Sequence, residues 1–187
     1  MEATCRNWTR AKGAVAVSET ICETTGIERT RIIEWADPAV TAQAARGRSG
    51  LDFLQAMVDG ELPPPPIMQT LGARLESVEP GTAVFTMTPS ESHYNPIGSV
   101  HGGVYATLLD SAAACAVHSK LPAGVGYTSL DLSVRFLGPI SVDTGPVRCT
   151  GTVTHLGRRT ALAEATLTSS SGKLLATATS SCLIINP

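Results

Sequence analysis

The chain holds 187 residues, somewhat more than the roughly 150 of a typical domain, so one core with an appendage is expected rather than two full domains. Hydrophobic residues make up 43% and charged residues 16%, the latter well under the roughly 25% of an average soluble domain. This excludes a wholly disordered chain and points to surface hidden by self-association, while a formal charge of −2 excludes the basic field of a general nucleic-acid binder.

The longest apolar runs, such as Leu183-Ile184-Ile185, fall far short of the roughly 20 residues that cross a bilayer. Met1-Glu2 does not open a basic segment leading into an apolar stretch, so no membrane partner and a cytoplasmic location are expected. Cys5, Cys22, Cys115, Cys149 and Cys182 are odd in number and contain no C-x-x-C pair, so neither a disulfide framework nor a bound metal is predicted.

In chain order, Thr30–Trp35 reads as a strand and Asp37-Pro38 as a helix start, with Asp capping and Pro in the first turn. Behind a Ser49 cap, Leu51, Leu54 and Val58 fall at helical spacing, and Gly60 stops that helix. Pro63 to Pro66 cannot be helix interior and favour an extended conformation. A boundary is placed there, between an N-terminal extension at 1–64 and a main domain at 65–187. Glu79-Pro80-Gly81 turns a hairpin built from 72–78 and 82–88. Beyond a long helix, Leu130, Leu132, Val134 and Phe136 alternate with Ser129, Asp131, Ser133 and Arg135, the pattern of a half-buried strand. Strands at 146–155, 159–170 and 173–185 follow, joined by turns short enough for antiparallel hairpins. The order is two strands, one helix, four strands, an α+β arrangement.

The helix between Pro96 and Pro122 carries the chemistry. At 100° per residue, Val104, Leu108, Ala112 and Cys115 share a face, widened by Leu109 and Ala116, that is assigned to the sheet. Asp110 falls on the other side among Ala106, Thr107, Ala113, Ala114 and Val117, with no other Asp, Glu, Lys or Arg between His101 and Val117. A solvated helix face carries several charges; this one has a single carboxylate among small side chains, suited to close approach by another surface. Such a carboxylate costs free energy unless it is paired or used. Gly102-Gly103 lies at the helix start, where N–H groups lack intrahelical partners and a ligand oxygen meets no Cβ. That is the geometry of an oxyanion hole; a tight loop-to-helix turn accounts for the same two glycines. His101 is either an acid–base group or structural.

Asn95-Pro96-Ile97-Gly98-Ser99-Val100-His101-Gly102-Gly103 followed by Leu109-Asp110 resembles the PaaI-type branch of the hotdog-fold acyl-CoA thioesterases. The likeness runs from about 65 to 186 and includes Tyr127–Pro139 and Gly157-Arg158-Arg159-Thr160. It implies a hotdog fold, a long central helix wrapped by a curved antiparallel sheet of about six strands, paired into homodimers or homotetramers. It also implies Asp110 as the acid that activates water or attacks the thioester, the Gly102 N–H polarising the carbonyl, and Asn95 positioning water or the acyl group. A hydroxyl from the following strand of the neighbouring subunit assists, for which both Thr128 and Ser129 qualify. The implied site is split across a dimer interface, with His101 and Gly103 beside the substrate.

An acyl-CoA substrate needs local positive charge for its phosphates, and Arg158 and Arg159 at a hairpin are the candidates. Coenzyme A is then part of the substrate and no separate cofactor is expected. A non-catalytic acyl-thioester binding protein of the same fold is the rival reading, although a binding module has no need of the acid. Hydration of an enoyl thioester would call for an Asp-x-x-x-x-His pair at the helix start, which is absent.

Overall fold

Residues 29–186 are described in this computed structural model. Asp37 caps the first helix, α1 (Pro38–Ala44), its Oδ1 accepting from the Ala39 N–H at 2.9 Å with Pro38 in the first turn. The Ser49 hydroxyl accepts from the Asp52 N–H and opens α2 (Gly50–Val58). Both starts agree with the sequence, because capping is decided by neighbouring residues alone. The strand expected over Thr30–Trp35 does not form: the segment has no regular secondary structure, and Ile32 and Trp35 stay exposed. A β-prone run forms a strand only where a neighbouring strand takes up its ladder groups, and among the described residues no strand pairs with this one.

Pro65 is extended, as a proline run prefers, but Pro66 opens a further helix, α3 (Pro66–Leu71). A proline is tolerated there because its missing N–H would have had no intrahelical partner. Gly72, at φ 63°, ends that helix in the left-handed conformation and leads into the sheet.

The six expected strands are β1 (Ala73–Glu79), β2 (Thr82–Met87), β3 (Gly126–Phe136), β4 (Val147–Leu156), β5 (Thr160–Ser169) and β6 (Leu174–Ile185). They form one antiparallel sheet in the order β1-β2-β4-β5-β6-β3. The long helix α4 (Gly102–His118) touches β2, β3, β4, β5 and β6. Five flat strands would span roughly 19 Å, more than the roughly 10–12 Å width of a helix, so the sheet curves around α4. This is the hotdog arrangement.

Two sequence expectations need correction. On α4, Leu108, Leu109, Ala112 and Ala116 are buried as expected, but so are Ala113, Ala114 and Val117, while Val104 and Cys115 are only half-buried. The buried face is thus rotated toward Leu109 and Ala113. The cause is at Gly151 of β4, where an added Cβ would lie 2.1 Å from the Ala112 carbonyl oxygen. Strand and helix backbones meet on this side because neither has side-chain bulk between them.

The second correction concerns β3. Leu130 and Phe136 are each 57% exposed rather than half-buried, with Leu132 and Val134 intermediate. β3 is the outer strand of the sheet, so its apolar residues lack cover on one side.

Residues 33–186 lie in one compact unit in which α2 packs on β1 and α4. Cys115, Cys149 and Cys182 are free thiols; Cys5 and Cys22 lie outside the described residues. No described helix is long and apolar enough to cross a membrane.

Candidate active site

The chain enters α4 through a tied-down loop. The Asn95 Oδ1 accepts from the N–H groups of Ile97 and Ser99 at 3.1 and 3.2 Å, and its Nδ2 donates to Ser99 Oγ at 3.1 Å. Asn95 thus spends its amide on the loop 95–99, an Asx-type turn. The His101 N–H donates to the His93 carbonyl and the Val100 N–H to the Ile140 carbonyl, which fixes the angle of entry.

His101 is the N-cap: its Nδ1 accepts from the Gly103 N–H at 2.8 Å, and its carbonyl accepts from the Val104 N–H. Among the described residues nothing accepts the Gly102 N–H. The first turn therefore offers one unpartnered donor at the positive end of a 17-residue helix. An added Cβ at Gly102 would lie 3.1 Å from the Phe136 ring, which stacks edge-on against Tyr105 at 5.5 Å.

Two turns along α4, the Ser129 hydroxyl donates to Asp110 Oδ1 at 2.9 Å. Strict alternation along β3 would have turned Ser129 away from Leu132 and Val134. A β-bulge prevents this: Ser129 pairs with Cys182 and Asp131 with Ser181, so the register slips at Leu130. Ser129 then shares the α4-facing side with Tyr127, Leu132 and Val134, as their pairing with buried Cys182, Ile184, Ser180 and Ala178 requires. Bulges commonly re-aim a side chain at a site in this way.

The bulge is pinned by Asp131. Its carboxylate accepts from both the N–H and the hydroxyl of Ser181, and its carbonyl from the Ser180 hydroxyl at 2.8 Å. Thr128, next along the strand, is exposed and faces the other side of the sheet. Of the two hydroxyls the sequence left open, Ser129 is the one brought to Asp110 within the chain.

Asp110 borders two spaces. One is an open groove of about 410 Å³ lined by Ala106, Thr107 and Ser129–Leu132. The other is a more enclosed cavity of about 580 Å³, within the roughly 300–1,000 Å³ of small-molecule sites. Its walls come from Phe53, Leu54, Met57 and Val58 of α2, from Pro63–Pro65, from Met68 of α3 and from Leu75 and Phe85 of the sheet. Asp110, Ser111, Ala114, Cys115 and His118 run along its α4 side. Burial, with the Asp110 charge adding to it, pushes the Cys115 thiol up to about 12, so this cysteine is an inert wall.

The sequence reading missed this cavity's polar lining, although the helical spacing over Leu51–Val58 and the proline run were its local signals. Arg158 and Arg159 are exposed at the β4–β5 turn, and neither lines a space that Asp110 borders. The Arg159 carbonyl accepts from the Ile184 N–H, which puts the turn two strand spacings from β3, roughly 10 Å across the sheet.

Loss of the Ser129 hydroxyl is expected to leave the fold intact, because the residue is exposed. A hydrogen bond to a charged group contributes about 1.5–3 kcal/mol, so Ser129→Ala should lower kcat/KM by roughly ten- to hundredfold. Steady-state kinetics beside a circular-dichroism melt would check both halves.

An acid on a central helix, a hydroxyl aimed at it, an N–H without an acceptor among the described residues at that helix's start and an adjoining apolar cavity are the parts that acyl-transfer hydrolysis calls for. The sequence model of the thioesterase superfamily matches residues 97–176. The chain is 30% identical over 109 residues to the 1,4-dihydroxy-2-naphthoyl-CoA hydrolase of Listeria monocytogenes, covering 58% of this chain and 87% of that one. It is 32% identical over 103 residues to human acyl-coenzyme A thioesterase 13, covering 54% and 72%. Among solved structures, the E. coli PaaI protein of the phenylacetic acid degradation operon is 26% identical, with a TM-score of 0.64 and coverage of 74% and 96%. The protein belongs to the thioesterase superfamily and is a thioester hydrolase.

Proposed function

We propose that the protein hydrolyses acyl-CoA thioesters to the free acid and coenzyme A, with Asp110 as general base. The observation that carries this is the Asp110 carboxylate, oriented by Ser129, between an open groove and an apolar cavity. In this reading the acyl group enters the cavity and the pantetheine arm leaves through the groove. Asp110 takes a proton from water as that water attacks the carbonyl carbon. The tetrahedral intermediate's oxyanion rests on a Gly102 N–H, and collapse breaks the C–S bond, releasing the thiolate. Asn95 serves by holding the loop that presents His101, Gly102 and Gly103 beside the substrate.

The two halves of this chemistry require a second copy. Gly102 and Asp110 are eight residues apart, about 12 Å along the axis, and the Gly102 N–H points outward from the helix start. A carbonyl oxygen on that N–H lies too far from the same chain's Asp110 for one water to bridge them at hydrogen-bond distances of about 3 Å. Each site thus combines Asp110 of one chain with Gly102 of another. The outer edge of the 11-residue strand β3, with Leu130 and Phe136 exposed, is the surface for such pairing, since an exposed apolar edge strand is otherwise a template for aggregation. Arg158 and Arg159 would meet the phosphates of coenzyme A, and the reaction would be cytoplasmic.

Thiol release from a panel of acyl-CoA and acyl carrier protein thioesters tests the activity. Release from CoA esters is the expected result; saturable acyl-CoA binding without release would instead assign a binding protein. Measured mass in solution should be at least that of a dimer, and a stable active monomer would overturn the shared site.

A further inference from the structure

His118 lies at the far end of the apolar cavity from Asp110, eight residues and about 12 Å along α4. That end is sealed. α2 begins directly against it: the Gly50 N–H donates to the Leu121 carbonyl, and a Cβ at Gly50 would lie 1.8 Å from the His118 carbonyl oxygen. The imidazole sits between the rings of Phe53, at 5.5 Å, and Tyr127, at 5.0 Å.

Burial holds the His118 pKa below its ordinary value, so at neutral pH the ring is uncharged and carries one N–H donor and one acceptor nitrogen. No hydrogen bond from a described residue reaches that ring, and His118 lines the cavity. A polar group facing an apolar chamber without a partner costs free energy unless a ligand or water meets it. The Tyr127 hydroxyl is engaged with Cys115 rather than with this ring.

We propose that His118 is a specificity-determining residue of the acyl cavity, hydrogen-bonding a hydroxyl or similar polar group at the distal end of the acyl moiety. The substrate class is therefore acyl thioesters with an apolar body and a polar tip. This rests on the thioesterase reading of the same cavity. A fully extended chain advances roughly 1.2 Å per bond, as three backbone bonds give about 3.5 Å. The span from Asp110 to His118 thus matches an acyl chain of about ten bonds.

The test uses ω-hydroxydecanoyl-CoA and decanoyl-CoA, which differ only in the terminal hydroxyl. Equilibrium binding is measured by titration calorimetry to the Asp110→Asn protein, so that turnover does not enter, and thiol release by the native protein is followed separately. The hydroxylated ester is expected to bind roughly tenfold tighter, a factor typical of one satisfied buried hydrogen bond. Adding His118→Phe, which fills the slot between the two rings, should abolish the preference while keeping decanoyl-CoA binding; adding His118→Gln should retain part of it. Equal binding of the two esters, a preference that survives His118→Phe, or no binding of either would overturn the assignment. Absence of thiol release with the binding preference intact would fault the hydrolytic reading alone.

Discussion

Asp110→Asn is expected to give a folded protein that binds acyl-CoA and turns it over about a thousandfold more slowly, a loss of ~4 kcal/mol of transition-state stabilisation. The change is nearly isosteric, and the Ser129 hydroxyl that donates to Asp110 Oδ1 at 2.9 Å can donate equally to an amide oxygen. What disappears is the acceptor for the water's proton. Rates measured by thiol release, with binding measured by calorimetry, separate the two effects: kcat should collapse while affinity changes little. An Asp110→Asn protein within tenfold of native kcat would remove Asp110 from the mechanism. A single turnover in heavy-oxygen water would leave the enzyme unlabelled by the general-base route; label in the Asp110 carboxylate would instead assign it as nucleophile.

The second large effect is on stability. At Gly151→Ala the new Cβ would lie 2.1 Å from the Ala112 carbonyl oxygen, 2.2 Å from its carbonyl carbon and 2.6 Å from the Ala113 nitrogen. Those atoms are backbone in the middle of a buried helix and cannot swing aside as a side-chain tip would. Overpacking in cores costs about 1–3 kcal/mol, sometimes more, and here the helix itself must move, so about 3 kcal/mol or more is expected. For a chain of this size that lowers Tm by roughly 6–12 °C. Ala112 and Ala113 follow Asp110 within one turn, so activity should fall below what residual folding explains. A thermal melt with kinetics normalised to folded protein would check this, and a Tm within 2 °C of native would contradict the close approach.

The order of the strands, the long helix and both caps were legible because each depends on residues close in sequence: Asp37 and Ser49 beside the N–H groups they accept from, alternation along each strand; α3 was not, because the proline run before it reads as extended. Asp110 stood out for a local reason too, as the one charge between His101 and Val117. The Thr30–Trp35 strand failed because a strand exists only by pairing, and no local pattern states whether a partner is present. The choice between Thr128 and Ser129 also needed the partner strand. It turns on one extra residue at Leu130, held by Asp131 against Ser180 and Ser181 some fifty positions away.

The sequence by itself determined that a low-charge chain builds two strands, a helix with one acid and four more strands, since periodicity and turn chemistry are local. Only the tertiary structure decided which side of that helix is buried, which hydroxyl reaches the acid, and that α2 and the proline run enclose a cavity ending at His118. Those outcomes follow from long-range contact and from the exclusion of atoms from the same space, which residue spacing along a chain does not encode.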